Sequence, residues 1–240
     1  MHKNSILTLS LVGGFVLVFG SFTLMNQSKE TSIAEGPAPQ ESVEPAVEEE
    51  AADLPENGVH YEINSSESEV RFKINEVLRG NPFTVVGTTK AIEGYVDLNT
   101  FSPADTSIGS IRVDAGTLKT DDSRRDGMIS RFILQATEAE NRYITLQPRN
   151  VSINADTIET GQSYDMTIVG DLTVRGLTRS VEFSGEFTLT DENTLKGTAT
   201  TVILYPDYDI AIPSVPFVAS VDDEVVLEID FVADNVKAAP

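Results

Sequence analysis

The sequence has no cysteine, no tryptophan and only two histidines, His2 and His60. Without cysteine the chain has no disulfides, zinc–thiolate sites, thiol nucleophiles or Cys-ligated iron–sulfur clusters. Both histidines lie outside the strongly patterned region, which argues against a His-based triad and a multi-His metal site. Basic residues are also scarce, 17 against 38 acidic ones, for a net charge of −21. Such a surface cannot displace counterions from polyphosphate, so no nucleic acid partner is expected.

An uncharged apolar run occupies residues 5–25. As a helix it would be roughly 32 Å long, enough to cross a bilayer core of about 30 Å. Lys3 precedes the run and acidic residues follow it, so the positive-inside rule predicts a single-pass protein of the cell membrane with a cytoplasmic amino terminus. The alternative is a cleaved signal peptide, whose apolar region is usually shorter, and cleavage would make the protein secreted or periplasmic. Residues 1–26 are therefore predicted to be a signal anchor or a signal peptide, and both interpretations export the rest of the chain.

A polar segment follows, at residues 27–57, with nine acidic residues, one lysine and four prolines. It cannot bury enough apolar surface to offset the entropy of ordering, so we predict a disordered acidic linker. The remaining segment, residues 58–240, has 29 acidic and 15 basic residues. It is the predicted folded domain, and it is acidic in its own right.

Apolar and polar residues alternate with a period of two through most of this domain. The pattern predicts antiparallel strands with one apolar and one solvated face, roughly eight to ten in number. Helix-like spacing appears at residues 121–140, where we expect one or two short helices. The fold class is therefore all-β, either a sandwich or a closed up-and-down barrel. Long strands with internal glycines, such as Gly170 and Gly185, favour the barrel, because its strands must bend.

One stretch, residues 170–181 with the sequence GDLTVRGLTRSV, resembles the signature of the YceI-like family. Three further similar stretches follow the family order, at residues 76–89, 118–126 and 212–227, and the likeness extends over residues 59–235. The resemblance implies a lipocalin-like antiparallel β-barrel in an exported protein that carries a polyisoprenoid, such as an isoprenoid quinone side chain. Some family members pair, which leaves a homodimer open.

The sequence departs from this family in two places. The segment YPDYD at residues 205–209 lacks the arginine and glycine of an Arg-x-Asp-[FY]-Gly stretch, and a histidine common early in the barrel is missing near Asn75 and Glu76. Polar recognition of a lipid head group therefore does not carry over from the resemblance.

Inward-facing apolar side chains would line the barrel and contact the lipid. An isoprenoid needs such a lining, because each buried CH₂ contributes about 0.8 kcal/mol and needs no polar contact. The alternative is that these side chains fill the interior. The predicted lining residues are Phe72, Ile74, Val96, Ile111, Val113, Tyr164, Met166, Ile168, Phe183, Phe187, Leu227 and Phe231.

Three arginines, Arg124, Arg125 and Arg131, are candidates for a lid at the barrel mouth that pairs with a phosphate or carboxylate. The favoured alternative is local pairing with Asp121, Asp122 and Asp126 around a short helix. No histidine is placed to activate a serine, and no Gly-x-Ser-x-Gly elbow occurs, so we predict neither an enzyme nor a metal site.

Together these observations predict an extracytoplasmic, membrane-tethered binding or carrier protein for an isoprenoid-type lipid. The alternative is a filled barrel that serves as a structural or protein-interaction module at the cell surface. An apolar patch on the outside of the barrel would favour the alternative.

Overall fold

The computed structural model describes residues 58–213 and 218–238. The predicted anchor or signal peptide and the predicted linker lie outside the described residues. Within the described ranges, no helix is both long enough and apolar enough to span a membrane.

The described residues form one antiparallel sheet of twelve strands. One short helix, α1 (Ser123–Met128), continues into a π-helical turn (Ile129–Ile133), and we call residues 123–133 the helical segment. The strands are β1 (Gly58–Ile63), β2 (Glu69–Leu78), β3 (Asn81–Thr89), β4 (Ile92–Glu93), β5 (Tyr95–Asn99), β6 (Ser107–Ile108), β7 (Ile111–Asp114), β8 (Tyr143–Ile153), β9 (Ser163–Val174), β10 (Leu177–Asp191), β11 (Thr194–Leu204) and β12 (Val218–Asn235).

The long hairpins follow the predicted alternation. Every second residue of β9 from Met166 to Val174 is buried, as the pattern predicts. The β9–β10 hairpin turns through two residues, Arg175 and Gly176, with φ angles of 50° and 72°. Positive φ at both positions is the requirement of the type I′ turn, whose twist matches that of the flanking strands.

The sheet curls into a half-barrel in which β12 is an interior strand. One edge pairs with β11, while the other pairs first with β2 and then, near its end, with β1. The hydrogen-bonded order begins at β4 and ends with β5 and β6, although only Gly94 separates β4 from β5 in the sequence. The sheet therefore wraps around one interior. An all-β antiparallel fold is confirmed, but the described strands form a half-barrel and not the closed barrel that the sequence favoured.

The strand count differs from the expected eight to ten because the first half of the domain is broken into short pieces. Residues 81–99 form three strands, β3, β4 and β5, which pair with different neighbours. A period of two continues across such interruptions, so the pattern alone cannot locate them.

His60, which lies outside the strongly patterned part of the sequence, is a residue of β1. Its Nδ1 atom is 2.6 Å from Oδ1 of Asp97, a residue that is only 2% exposed although the alternation of β5 predicts a solvated position. The hydroxyl of Ser107 donates to the other oxygen of Asp97 at 3.4 Å. These bonds compensate for burying the carboxylate.

Candidate functional site

The interior of the curled sheet has a filled end and a hollow end. In the filled end, side chains of β5, β9, β10 and β11 pack closely and leave a space of about 40 Å³. In the hollow end a cavity of about 350 Å³ remains, which we call the main cavity. That volume lies near the lower limit of the range of about 300–1,000 Å³ that is usual for small-molecule sites.

Nearly all side chains around the main cavity are apolar. They come from the inner faces of the strands, from the helical segment and from the loop that follows β11. The apolar lining comprises Val70, Phe72, Ile74, Leu78, Val85, Ile111, Val113, Leu118, Met128, Ile129, Ile133, Leu134, Ile144, Leu146, Leu172, Val174, Phe183, Ile203, Ile210, Ile212, Pro213, Val218, Val221, Val225, Leu227 and Ile229.

The twelve predicted lining residues divide between the two ends. The main cavity is lined by Phe72, Ile74, Ile111, Val113, Phe183 and Leu227. The small space in the filled end is bounded by Val96, Met166, Ile168, Phe187 and Phe231, together with Ile111 and Phe183 at the boundary. Tyr164 lines neither space: its hydroxyl accepts a hydrogen bond from the Glu159 N–H at 2.8 Å, and its ring lies 5.9 Å from that of Phe187. The lipid-contact role of all twelve stays a prediction.

Some of the side chains that line the main cavity are only half-buried. Phe72, Ile74 and Leu227 are half-buried, whereas Phe183 and Phe187 are buried. All five belong to the inward sets of the alternation pattern. Apolar surface that stays accessible at the cavity is surface that an apolar ligand could cover.

One carboxylate lines the main cavity, and sequence reasoning did not select it. Glu76 is on the same face of β2 as Phe72 and Ile74, and its side chain is only 9% exposed. Its Oε1 atom accepts no hydrogen bond from the described residues, and the nearest cation is Nη2 of Arg125, 3.9 Å away. The two-residue alternation of β2 was the signal that could have identified Glu76.

Of the three predicted lid arginines, only Arg125 lines the main cavity. Its guanidinium is paired with Asp121 and lies 5.7 Å from the centre of the Phe83 ring. Arg124 is 90% exposed and pairs with Asp122 at 3.3 Å, while Arg131 is exposed. The local pairing that the sequence favoured is therefore present for Arg124 and Arg125.

Two aspartates fix the start of the helical segment. Asp122 caps α1 by accepting from the N–H of Arg124 at 2.8 Å. Asp126 was expected to pair with an arginine. Instead, it accepts hydrogen bonds from the N–H of Thr120 at 2.7 Å and from the Thr120 hydroxyl at 2.8 Å. Burial alone would raise the pKa of Asp126, but these hydrogen bonds outweigh it and leave the pKa below its usual value. The carboxylate thus ties the helical segment to the preceding chain.

On either side of the helical segment in the sequence, Ala115, Leu118 and Ala136 form a small separate apolar cluster against which Phe72 packs. The chain before the helical segment is hydrogen-bonded to the sheet. Thr88 of β3 and Lys119 exchange backbone hydrogen bonds of 2.8 and 2.9 Å. One side of the main cavity is therefore formed by an anchored segment.

Among the described residues, no three His, Asp or Glu side chains come together as a metal-binding cluster. His60, Asp97 and Ser107 are neighbours, but the serine hydroxyl bonds to the aspartate and not to the histidine. The free Nε2 atom of His60 faces Glu62 at 3.9 Å. This trio lacks the nucleophile–base contact that a catalytic triad requires.

The sequence profile of the YceI-like domain matches residues 61–233. None of the curated proteins matches the chain. The match covers every described strand except the outermost residues of β1 and β12.

Solved structures share the fold at low sequence identity. A polyisoprenoid binding domain from Saccharophagus degradans, implicated in plant cell wall breakdown, has 10% identity and a TM-score of 0.55, over 74% of this chain and 99% of its own. BcnA from Burkholderia cenocepacia has 15% identity and a TM-score of 0.54, over 71% of this chain and 98% of its own. A YCEI protein from Campylobacter jejuni has 15% identity and a TM-score of 0.50, over 62% of this chain and 84% of its own.

Proposed function

The chain belongs to the YceI-like family, and on that basis we propose that it binds an isoprenoid-type lipid in the main cavity. The observation that carries the proposal is a space of about 350 Å³ with an almost entirely apolar lining. The Saccharophagus degradans domain of the same fold, described as polyisoprenoid binding, supports the same ligand class.

The chemistry of the lining suits a hydrocarbon chain with methyl branches. Each methylene that enters contributes about 0.8 kcal/mol without needing a polar partner. The half-buried side chains Phe72, Ile74 and Leu227 are where ligand binding would remove further apolar surface from water. The cavity volume fits a short isoprenoid, or one end of a longer chain such as that of a polyprenol or an isoprenoid quinone.

A pair of neighbouring substitutions on β12 tests the cavity. Leu227→Trp places a large side chain in the main cavity, whereas Val226→Trp places the same side chain on the opposite face of the strand. The full chain of each variant is purified, freed of loosely held lipid and extracted with organic solvent. We expect mass spectrometry to find an isoprenoid with the wild type and Val226→Trp, and little with Leu227→Trp.

Two results would contradict the proposal. One is a wild-type protein that yields no isoprenoid and also takes up no added polyprenol or quinone. The other is equal lipid content in Leu227→Trp and the wild type, which would place the lipid outside the cavity.

Membrane attachment and an extracytoplasmic location form part of the proposal and rest on residues 5–25 and 27–57 of the sequence. A linker of 31 residues could extend on the order of 100 Å, so a tethered domain would reach the bilayer that supplies its lipid. Alkaline phosphatase fused after residue 240 should be active, since that enzyme requires export. An anchored chain should stay with membranes after an alkaline carbonate wash, whereas a cleaved chain would be released.

A second candidate function, a surface that contacts another protein, has one observation in its favour. Val202, Val226, Lys73 and Val86 are cross-strand neighbours on the outer face of the sheet. Val202 is 56% exposed, and Leu204, two residues further on β11, is also exposed. Such a strip is where a homodimer would form, and sedimentation of the wild type and Val202→Lys would detect it as a dimer that the variant loses.

A further inference from the structure

We propose that Glu76 is a head-group site, which accepts a hydrogen bond from a lipid hydroxyl and excludes anionic head groups. This inference rests on the proposed function, and it narrows the ligand to an isoprenoid with a neutral, donating head group. A phosphate or carboxylate head group is the class that the site would reject.

Glu76 has an unsatisfied hydrogen-bond acceptor at the main cavity. Glu76 projects from the inner face of β2 into the main cavity, and nine-tenths of its side chain is shielded from solvent. Its Oε1 atom accepts no hydrogen bond within the described part of the chain. A buried carboxylate oxygen without a donor is costly, and a ligand hydroxyl would remove that cost.

The charges around Arg125 also disfavour an anionic head group. Its guanidinium pairs with Asp121 through Nη1 and lies 3.9 Å from Glu76 through Nη2. Two carboxylates thus share one guanidinium. The other arginine of the lining, Arg71, is already paired with three acidic side chains, so the local balance is negative. An anionic head group would have to compete with both acids for the same guanidinium while being repelled by Glu76.

The position of Glu76 also sets the direction in which a bound lipid would lie. Glu76 and Arg125 lie on the side of the cavity formed by β2 and the helical segment. Ile111, Leu146 and Phe183 border both the main cavity and the small space of the filled end. A ligand with its hydroxyl at Glu76 would thus direct its hydrocarbon tail towards Phe183, where the lining is apolar throughout.

Three ligands with the same tail test the head group: farnesol, farnesyl methyl ether and farnesoic acid. The ether has no donor, and the acid is anionic at neutral pH. For the wild-type full chain we expect farnesol to bind about tenfold to a hundredfold more tightly than the ether, as for a hydrogen bond to a charged group. Farnesoic acid should bind more weakly than farnesol by at least a similar factor.

The matched variants are Glu76→Gln and Glu182→Gln. Glu76→Gln keeps the side-chain shape but removes the charge, so farnesol should lose most of its advantage over the ether and farnesoic acid should gain affinity. Glu182 is an exposed residue of β10 outside the cavity lining, and its replacement removes the same charge. Glu182→Gln should bind all three ligands as the wild type does.

The outcomes separate the two proposals. If the wild type binds all three ligands equally, or if Glu76→Gln keeps the wild-type preference, the head-group site is wrong while lipid binding stands. If the wild type binds none of them, both proposals fall. Should Glu76→Gln fail to fold, as judged by circular dichroism, the ligand series with the wild type alone decides.

Discussion

Glu228 joins two basic side chains on the outer face of the sheet. It accepts hydrogen bonds from Nζ of Lys73 at 2.7 Å and from Nε of Arg71 at 2.8 Å. The bonds from Lys73 and then Arg71 hold the pKa of Glu228 below its usual value. Arg71 also pairs with Asp230 and, at 2.8 Å, with Glu69. Its bonds to Asp230, then Glu228, and then Glu69 raise its pKa. The cluster connects β2 to β12 beside the cavity.

The lowered pKa of Glu228 predicts a stability that depends on pH. Because the folded pKa lies below the unfolded value of about 4.3, the unfolded chain binds more protons in acid. The contribution of Glu228 is fully present above that value and is lost as the pH falls through the folded pKa. At pH 7, Glu228→Gln should lower the free energy of unfolding by about 1 kcal/mol, and the difference should shrink in acid.

Urea unfolding at a series of pH values measures this difference. Glu182→Gln serves as the control, since Glu182 is exposed on another strand. A difference between the wild type and Glu228→Gln that does not change with pH would contradict the role of the carboxylate charge.

At the residue scale, the alternation pattern predicted the inward face of β2, but neither the burial of Asp97 nor which side chains meet. Alternation along β2 places Phe72, Ile74 and Glu76 on one face, as the structure has them. The approach of Arg125 to Glu76 depends on how the helical segment lies against β2. No period within a strand carries that information, because the contact joins distant parts of the chain.

At the element scale, β10 leaves no room for a side chain at Gly185, where it pairs with β11. A Cβ atom on Gly185 would clash with the carbonyl oxygen of Thr198 and lie 2.9 Å from Cα of Ala199. Backbone atoms cannot move aside as a flexible side chain does. The glycine expected from the sequence to let a strand bend thus also allows close contact between two strands.

Gly185→Ala should therefore destabilise the fold strongly, by about 2–4 kcal/mol. The matched substitution is Gly127→Ala in α1, where an added Cβ would meet no atom within 4 Å. That change should raise stability by about 0.5–1 kcal/mol, since alanine is the better helix former. Thermal unfolding of both variants measures the contrast, and a mild effect at Gly185 would contradict the close approach.

Elements were predictable where one period continued without interruption. The long strands β9, β10 and β12 alternate along most of their length, and the sequence located them. The helical segment was expected from its spacing, yet its second half is a π-helical turn, with i→i+5 hydrogen bonds in place of the i→i+4 bonds of an α-helix. The division of residues 81–99 was missed because pairing partners, and not local residues, decide where each short strand ends.

At the scale of the whole molecule, ligand binding and unfolding should be linked. A ligand that binds only the folded state adds about 2.7 kcal/mol at a hundredfold excess over its Kd. Saturating farnesol should therefore raise the melting temperature of the wild type by several degrees, at about 2–4 °C for each kcal/mol. Differential scanning calorimetry measures the shift.

Leu227→Trp is the control for that measurement, because its cavity is occupied by its own side chain. A similar rise in both proteins would indicate binding at the surface. No rise in the wild type would contradict a ligand site within the fold.

The sequence left open whether the interior of the barrel is hollow or filled by side chains. In the structure one end of the interior is hollow and the other is filled. Which end is hollow follows from the radius of the curled sheet and the summed volume of the side chains inside. Neither quantity can be calculated from a list of inward-facing residues. The sequence therefore predicted the apolar character of the lining but not the position or the size of the main cavity.

The filled end and the hollow end of the interior should tolerate substitutions differently. Met166 and Phe187 line only the filled end and are buried, whereas Ile74 and Leu227 line only the main cavity and are half-buried. Exchanges at the second pair alter the capacity of the site with little loss of buried contact. Substitutions at a few positions can therefore change the volume of the main cavity, while the rest of the interior keeps the chain folded.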